Sequence, residues 1–124
     1  MARLAMGELE AEVMDLLWDD GGWMTPGEAH EVMSTDRAIA YSTVMTILVR
    51  LWRKGRLDRQ AAGRAFAYRP VQTREEYAAA RMAGLLVTAK NRPVALSHFV
   101  AGLTPADKRQ LRRVLDEHKG RAER

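Results

Sequence analysis

Hydroxyl and guanidinium side chains recur between residues 40 and 54 at the spacing of one helix face. Ser42 and Thr46 come first, and Arg50 and Arg53 follow. At about 100° per residue, these four side chains point broadly to the same side of an α-helix, with Thr43 beside them. Hydroxyl groups bond to phosphates or to base edges, and arginines reach guanine edges or phosphate oxygens. The pattern predicts a helix surface that contacts nucleic acid.

Less specific interpretations of these side chains stay open. Ser42 and Thr43 are residue types that cap the start of a helix, and capping explains either residue taken alone as well as base contact does. Arg50 and Arg53 also fit an ordinary solvated face, since most surface arginines have no specific role. The surrounding sequence has to decide between these interpretations.

The charge of the chain is concentrated in the same region. The 124 residues include 20 Lys and Arg against 16 Asp and Glu, a net charge of +4. Residues 1–36 hold one base and nine acids, residues 37–74 nine bases and one acid, and residues 75–124 ten bases and six acids. Such a basic block favours a polyanionic partner, nucleic acid first, although a disordered basic linker has the same composition.

The apolar pattern indicates that the basic block is folded. Val44, Ile47, Leu48 and Leu51 form an apolar stripe on a helix predicted for residues 40–54. Helices are also predicted at residues 8–18 and from 26 to about 33, with a short strand at 23–24 and strands at 57–60 and 65–69. The last two strands form a hairpin, or wing, with Arg64 in its turn. This order predicts a winged helix-turn-helix domain, residues 1–73, whose third helix enters the major groove.

The remaining residues, 74–124, predict a helical tail. Helices are expected at residues 74–89, 93–101 and from 105 to about 119, with too few apolar positions for a stable isolated core. The tail therefore packs on the first domain or pairs with a second copy, and we favour a homodimer because two-fold symmetry matches a palindromic DNA site. The expected fold class is mainly α with a small β-hairpin. The residues expected in the dimer interface are Leu85, Leu86, Phe99, Val100, Leu111, Val114 and Leu115.

Two segments resemble the BlaI/MecI/CopY family of penicillinase-repressor transcription regulators. They are residues 9–18 (LEAEVMDLLW) and residues 40–51 (AYSTVMTILVRL), the second followed by Lys54-Gly55. The resemblance extends over nearly the whole chain. It implies a homodimeric bacterial repressor in which a winged helix binds a palindromic operator in double-stranded DNA and C-terminal helices join the subunits. It also places Ser42, Thr43, Thr46 and Arg50 in the recognition helix.

The same resemblance implies a way in which repression ends. Family members typically release DNA when a membrane-bound sensor protease cuts before a phenylalanine, usually in an Asn-Phe pair. The matching pair here is His98-Phe99, and this departure counts against cleavage at that bond. Copper-responsive members use C-terminal cysteines, and this chain contains none, so thiolate metal sensing is excluded. His30, His98 and His118 lack metal-ligand spacing, so no metal or cofactor is expected.

Other function classes have weaker support. The chain has no glycine-rich phosphate loop and no zinc-protease or serine-hydrolase motif, so we do not expect an enzyme. The missing cysteines and the short, interrupted apolar stretches predict a cytoplasmic protein without membrane insertion. The main alternative is a winged-helix protein-interaction module without sequence-specific DNA binding. RNA binding is less favoured because Phe66 and Tyr68 are expected to pack against the helices rather than to stack on bases.

Overall fold

A computed structural model describes residues 5–122, which form six helices and a two-stranded sheet. The order is α1 (Met6–Asp20), α2 (Pro26–Met33), α3 (Tyr41–Arg53), β1 (Leu57–Ala62), β2 (Ala65–Pro70), α4 (Arg74–Thr88), α5 (Arg92–Ala101) and α6 (Pro105–Ala122). The predicted fold class, mainly α with a small hairpin, is confirmed. Two compact units divide after Ala78 and are described separately. Among the described residues, no helix combines the length and the apolar character needed to cross a membrane.

α1 supplies one side of the core of the first unit. Val13, Met14 and Leu17 lie at helical spacing and are buried. The helix ends where Gly21 takes a left-handed backbone conformation, with φ at 77° and its N–H bonded to the Leu17 carbonyl at 3.1 Å. Glycine suits this position because it has no Cβ to clash with the backbone. α1 extends beyond the predicted residues 8–18 at both ends.

The start of α2 is a capping box. The Thr25 hydroxyl accepts a hydrogen bond from the backbone N–H of Glu28 at 3.2 Å, and the backbone N–H of Thr25 donates to Glu28 Oε1 at 3.0 Å. Pro26 occupies the first turn, where its missing N–H leaves no helical bond unmade. The backbone bond from Thr25, followed by the bond from its side chain, lowers the pKa of the Glu28 carboxyl group.

This capping box is expected to weaken in acid. A carboxyl group whose pKa is lowered by folding stabilises the fold above its unfolded-state pKa, and that contribution is lost as the pH falls through its folded-state pKa. Glu28→Gln keeps a capping side chain but removes the titrating group. We expect the melting temperature of this variant, measured by circular dichroism, to fall less than that of the wild type between neutral pH and pH values below the usual glutamate pKa. Equal falls for the two proteins would contradict the expectation.

α3 places its apolar stripe in the core. Val44, Ile47, Leu48 and Leu51 are fully buried, as predicted, and the helix contacts α1, α2 and β1. α3 begins one residue later and ends one residue earlier than the predicted residues 40–54. The opposite face of α3 therefore remains at the surface of the first unit.

β1 and β2 pair antiparallel and are joined by a two-residue turn, Gly63-Arg64. Gly63 has a φ of 63°, a left-handed conformation that glycine adopts without strain. The hairpin, residues 57–70, is called the wing below. Met24 forms an isolated antiparallel bridge to Tyr68 through backbone hydrogen bonds of 2.9 and 2.7 Å. The strand predicted at residues 23–24 is therefore present only as this bridge.

The two aromatic residues of β2 differ in burial. Tyr68 is 1% exposed and packs in the core, whereas Phe66 is 42% exposed. The expected packing against the helices is accompanied by burial for Tyr68, whereas Phe66 lies outside the buried core cluster. Phe66 lies closer to the turn, whereas the buried Leu57 belongs to the other end of the wing. Alternation along a strand predicts which face a side chain lies on, but it does not predict how far the core extends along that face.

The start of α4 is bound to α1 within the first unit. Trp18 Nε1 donates a hydrogen bond to the Gln72 carbonyl at 2.9 Å, and its ring centroid lies 5.6 Å from that of Tyr77. Arg74 pairs with Asp19 at 3.0 Å and with Asp15 at 3.5 Å. The first unit thus includes the first turn of α4, which continues into the second unit past the domain boundary predicted after residue 73.

The helices of the second unit have local caps and exposed apolar side chains. Asn91 Oδ1 accepts a hydrogen bond from the Val94 N–H, and Thr104 Oγ1 accepts one from the Asp107 N–H, each at 3.1 Å. None of the side chains described between residues 79 and 121 is buried. Capping depends only on nearby residues, whereas burial requires packing against other elements. The N-termini of α5 and α6 are therefore capped, but the side chains between residues 79 and 121 form no buried core.

Candidate nucleic-acid interface

The outward face of α3 carries the predicted contact residues. Ser42, Thr46, Arg50 and Arg53 are exposed, and Thr43 beside them is half-buried. Thr46 Oγ1 donates a hydrogen bond to the Ser42 carbonyl at 2.8 Å, which leaves the hydroxyl oxygen able to accept one. We call Ser42, Thr46, Arg50 and Arg53 the polar strip. It lies opposite the buried stripe of α3 and combines hydroxyl groups near the helix start with cations near its end.

The start of α3 does not use the hydroxyl groups as caps. The N-cap residue is Ala40, which has an extended backbone and no side-chain capping bond. Ser42 and Thr43 lie inside the first turn instead. The interpretation of these two hydroxyls as helix caps is therefore wrong, and capping does not explain their presence.

A nearly buried carboxylate lies beside the end of α3. The side chain of Glu10, in α1, is only 10% exposed and accepts hydrogen bonds from Lys54 Nζ at 2.8 and 2.9 Å. Its Oε1 also lies 3.5 Å from Nε of Arg50, whose side chain stays 50% exposed. A carboxylate removed from water needs such partners because its desolvation is costly. Glu10 therefore offsets part of the positive charge here and restrains Arg50 near the helix.

The wing adds an arginine that is stacked on aromatic rings. The Cζ atom of Arg59 lies 3.5 Å from the ring centroid of Trp52 and 4.0 Å from that of Phe66. A guanidinium stacked on aromatic rings keeps its charge and its in-plane donors. The junction between α3 and the wing is therefore cationic.

The remaining charges separate the surface of the first unit into two regions. Arg37 pairs with Glu12, and Arg74 pairs with Asp19, so acidic residues of α1 are matched by nearby cations. In the part of the chain that the structure describes, Arg53 and Arg64 form no such ion pair. Arg64, in the turn of the wing, is exposed. The polar strip and the wing thus each present a cation, Arg53 and Arg64 respectively, that pairs with no carboxylate among the described residues.

Apolar side chains of the second unit line an open groove. Met82, Leu85 and Leu86 of α4 and Leu96 and Phe99 of α5 surround a cavity of about 350 Å³. Among the residues predicted for the dimer interface, Leu85, Phe99, Val100, Val114 and Leu115 are exposed, and Leu86 and Leu111 are half-buried. Contiguous exposed apolar surface of this kind typically marks an interaction site.

Comparison with known proteins agrees with this geometry. The family model described as penicillinase repressor matches residues 6–117. The chain belongs to the penicillinase repressor family. It is 40% identical over 121 residues to the transcriptional regulator BlaI of Mycobacterium tuberculosis (strain CDC 1551 / Oshkosh), which covers 94% of this chain and 88% of that protein. The solution structure of the DNA binding domain of the repressor BlaI aligns with a TM-score of 0.50 and 28% identity, covering 60% of this chain and 88% of that domain.

Membership of the penicillinase repressor family accounts for the winged fold, and the structure adds residues that sequence reasoning missed. Glu10 was not recognised because its partner Lys54 is 44 residues away in the chain, and no local pattern connects them. No sequence signal distinguishes Arg59 from the other bases of residues 37–74. The alternation of β2 could have placed Phe66 near it, but only the tertiary structure brings Trp52 to the same group.

Two of the three histidines of this family member, His30 and His118, contact backbone carbonyl groups. His30 Nε2 lies 2.8 Å from the Ile39 carbonyl oxygen, and His118 Nδ1 lies 3.1 Å from that of Val114. His98 and Phe99 are both exposed within α5. Within residues 5–122, no group of three or more His, Cys, Asp or Glu side chains comes close enough to hold a metal ion.

Proposed function

We propose that this member of the penicillinase repressor family represses transcription by binding a palindromic operator as a homodimer. In this proposal α3 enters the major groove and the wing lies along the adjacent backbone. The observation that carries the proposal is the exposed polar strip opposite a fully buried apolar stripe on the same helix. Because its target is chromosomal DNA, we expect the protein to act in the bacterial cytoplasm.

The chemistry of the polar strip suits a division of roles. The hydroxyl group of Ser42 bonds to a phosphate or a base edge. The hydroxyl oxygen of Thr46 accepts a hydrogen bond from a base, and its methyl group contacts a thymine methyl. Arg50 reaches a guanine edge, whereas Arg53 and Arg64 contact phosphate oxygens of the DNA backbone. The exposed Arg64, which pairs with no carboxylate among the described residues, supports this assignment because phosphate contacts supply most of the sequence-independent affinity.

The exposed apolar tail supports the homodimer. A groove lined by Leu85, Leu86 and Phe99 is left open by the chain itself, and Val114 and Leu115 add exposed apolar surface on α6. Pairing with a second copy would cover this surface without any other partner. A two-fold dimer would also present two copies of α3 to the two half-sites of a palindrome.

The proposal predicts DNA binding that depends on both salt and sequence. Chromatin immunoprecipitation identifies the operator, and fluorescence anisotropy then compares this duplex with a scrambled duplex. We expect at least about a thousandfold preference for the operator. Affinity is expected to fall by about 0.9 log units per log unit of salt for each phosphate neutralised, over the range of about 50 to 200 mM.

Two outcomes would contradict the proposal. Equal binding to the operator and the scrambled duplex would exclude a sequence-specific repressor. No binding to either duplex, together with salt-sensitive binding to an acidic protein, would support the winged-helix protein-interaction module instead.

A further inference from the structure

Arg59 lies between two aromatic rings where α3 meets the wing. Its guanidinium carbon is 3.5 Å from the ring centroid of Trp52, the penultimate residue of α3, and 4.0 Å from that of Phe66 in β2. Both rings lie within the distance at which a guanidinium and an aromatic face attract each other. We call Arg59, Trp52 and Phe66 the stacked triad.

No carboxylate among the described residues pairs with the guanidinium of Arg59. A guanidinium carries five N–H donors in its plane. Within residues 5–122, Arg59 forms no ion pair, whereas Arg37, Arg50 and Arg74 each lie beside a carboxylate. The edge of the guanidinium is therefore suited to an external anion with two oxygens in the same plane.

The exposure of Phe66 also points to a ligand. An aromatic ring that is 42% exposed near the turn of the wing contributes little to the core, and its centroid lies 4.0 Å from the guanidinium carbon of Arg59. Together with Trp52 it restricts the motion of Arg59 before any ligand arrives. A donor group that is already restricted loses less conformational entropy on binding.

We propose that Arg59 binds a phosphodiester group of the DNA backbone and that Trp52 and Phe66 are its positioning residues. The proposal rests on the function proposed above. With α3 in the major groove, the sugar-phosphate strand that borders this groove passes the junction of α3 and the wing, where the stacked triad lies. A backbone contact is independent of sequence, so this site strengthens binding to every duplex equally.

Substitutions of Arg59 separate its charge from its planar shape. The probe is a mixed-sequence duplex of about 30 base pairs, titrated with the full-length chain by fluorescence anisotropy at about 50 to 200 mM salt. Arg59→Gln is expected to weaken binding about tenfold at low salt and to reduce the salt slope by about 0.9. Arg59→Lys keeps the charge and the slope but loses the planar fork, so we expect about threefold weaker binding. Phe66→Leu removes one stacking ring and is expected to weaken binding in the same direction.

A matched control removes the same charge elsewhere. Lys108→Gln, at an exposed position in α6, is expected to leave the salt slope at the wild-type value. Melting temperatures of all variants are measured in parallel. If Arg59→Gln does not fold, the test of the phosphate site rests on Arg59→Lys and Phe66→Leu.

A wild-type salt slope for Arg59→Gln, or wild-type affinity for Arg59→Lys, overturns the phosphate site. A lower melting temperature with an unchanged slope shows a structural role only and also overturns it. If the wild type binds no duplex at all, the proposed function itself is overturned.

Discussion

Leu85→Asp is expected to produce monomers and to lower the affinity for a complete palindromic operator by about a hundredfold or more. Leu85 is 66% exposed on α4 and lines the apolar groove together with Leu86 and Phe99. A carboxylate introduced into an interface built from such residues would lose its hydration without gaining a partner. The operator affinity would fall because the second half-site contact would no longer form at the millimolar effective concentration that the proposed dimer provides.

Analytical ultracentrifugation at micromolar concentration, combined with titration of full-site and half-site duplexes, measures this effect. Leu85→Asp is expected to lose affinity for the full site and to keep that of a wild-type subunit for a half-site. Ala80→Asp is the matched control, since it adds the same charge at an exposed position about 140° around α4 from Leu85. A wild-type monomer at these concentrations would refute the homodimer, and a dimeric Leu85→Asp protein would place the interface elsewhere.

Arg50→Ala is expected to relax the sequence preference of the protein. The ratio of operator affinity to scrambled-duplex affinity should fall by about tenfold to a hundredfold, the usual value of one bidentate arginine contact to guanine. Arg50 lies on the polar strip, and its Nε is 3.5 Å from the nearly buried carboxylate of Glu10. Its loss leaves Glu10 bonded to Lys54, so we expect the variant to fold.

Two substitutions serve as controls for this measurement. Lys54→Ala removes the closer partner of Glu10, and it is expected to lower the melting temperature without changing the sequence preference. Arg53→Ala is expected to weaken binding to both duplexes by the same factor, because a phosphate contact carries no sequence information. If Arg50→Ala also weakens both duplexes equally, Arg50 contacts phosphate and the proposed guanine contact is wrong.

The elements of the winged unit were predictable because their signals are local. The buried stripe of α3 follows from the spacing of Val44, Ile47 and Leu48, and the start of α2 follows from Thr25 and Glu28 three residues apart. Helix ends were less predictable, as the extension of α1 beyond both predicted ends shows. Where a helix ends depends on backbone hydrogen bonds that side-chain periodicity does not encode.

Residues of the candidate site were likewise predictable only where the signal lies within one element. The polar strip could be predicted because all four of its residues lie on one helix, where spacing alone determines the face. The burial of Glu10 beside Lys54 and the stacking of Arg59 between two rings could not, because each contact joins residues from different elements. The exposure of Phe66 escaped prediction because alternation gives a face but not the extent of the core.

By itself, the sequence determined the order of helices and strands, the buried and outward faces of α3, and the basic character of residues 37–74. These properties depend on the spacing of residue types within one segment. The tertiary structure alone decided which cations lie beside carboxylates and which one is stacked between aromatic rings. It did so because those contacts form only when α1, α3 and the wing pack together, which brings residues far apart in the chain within a few ångströms.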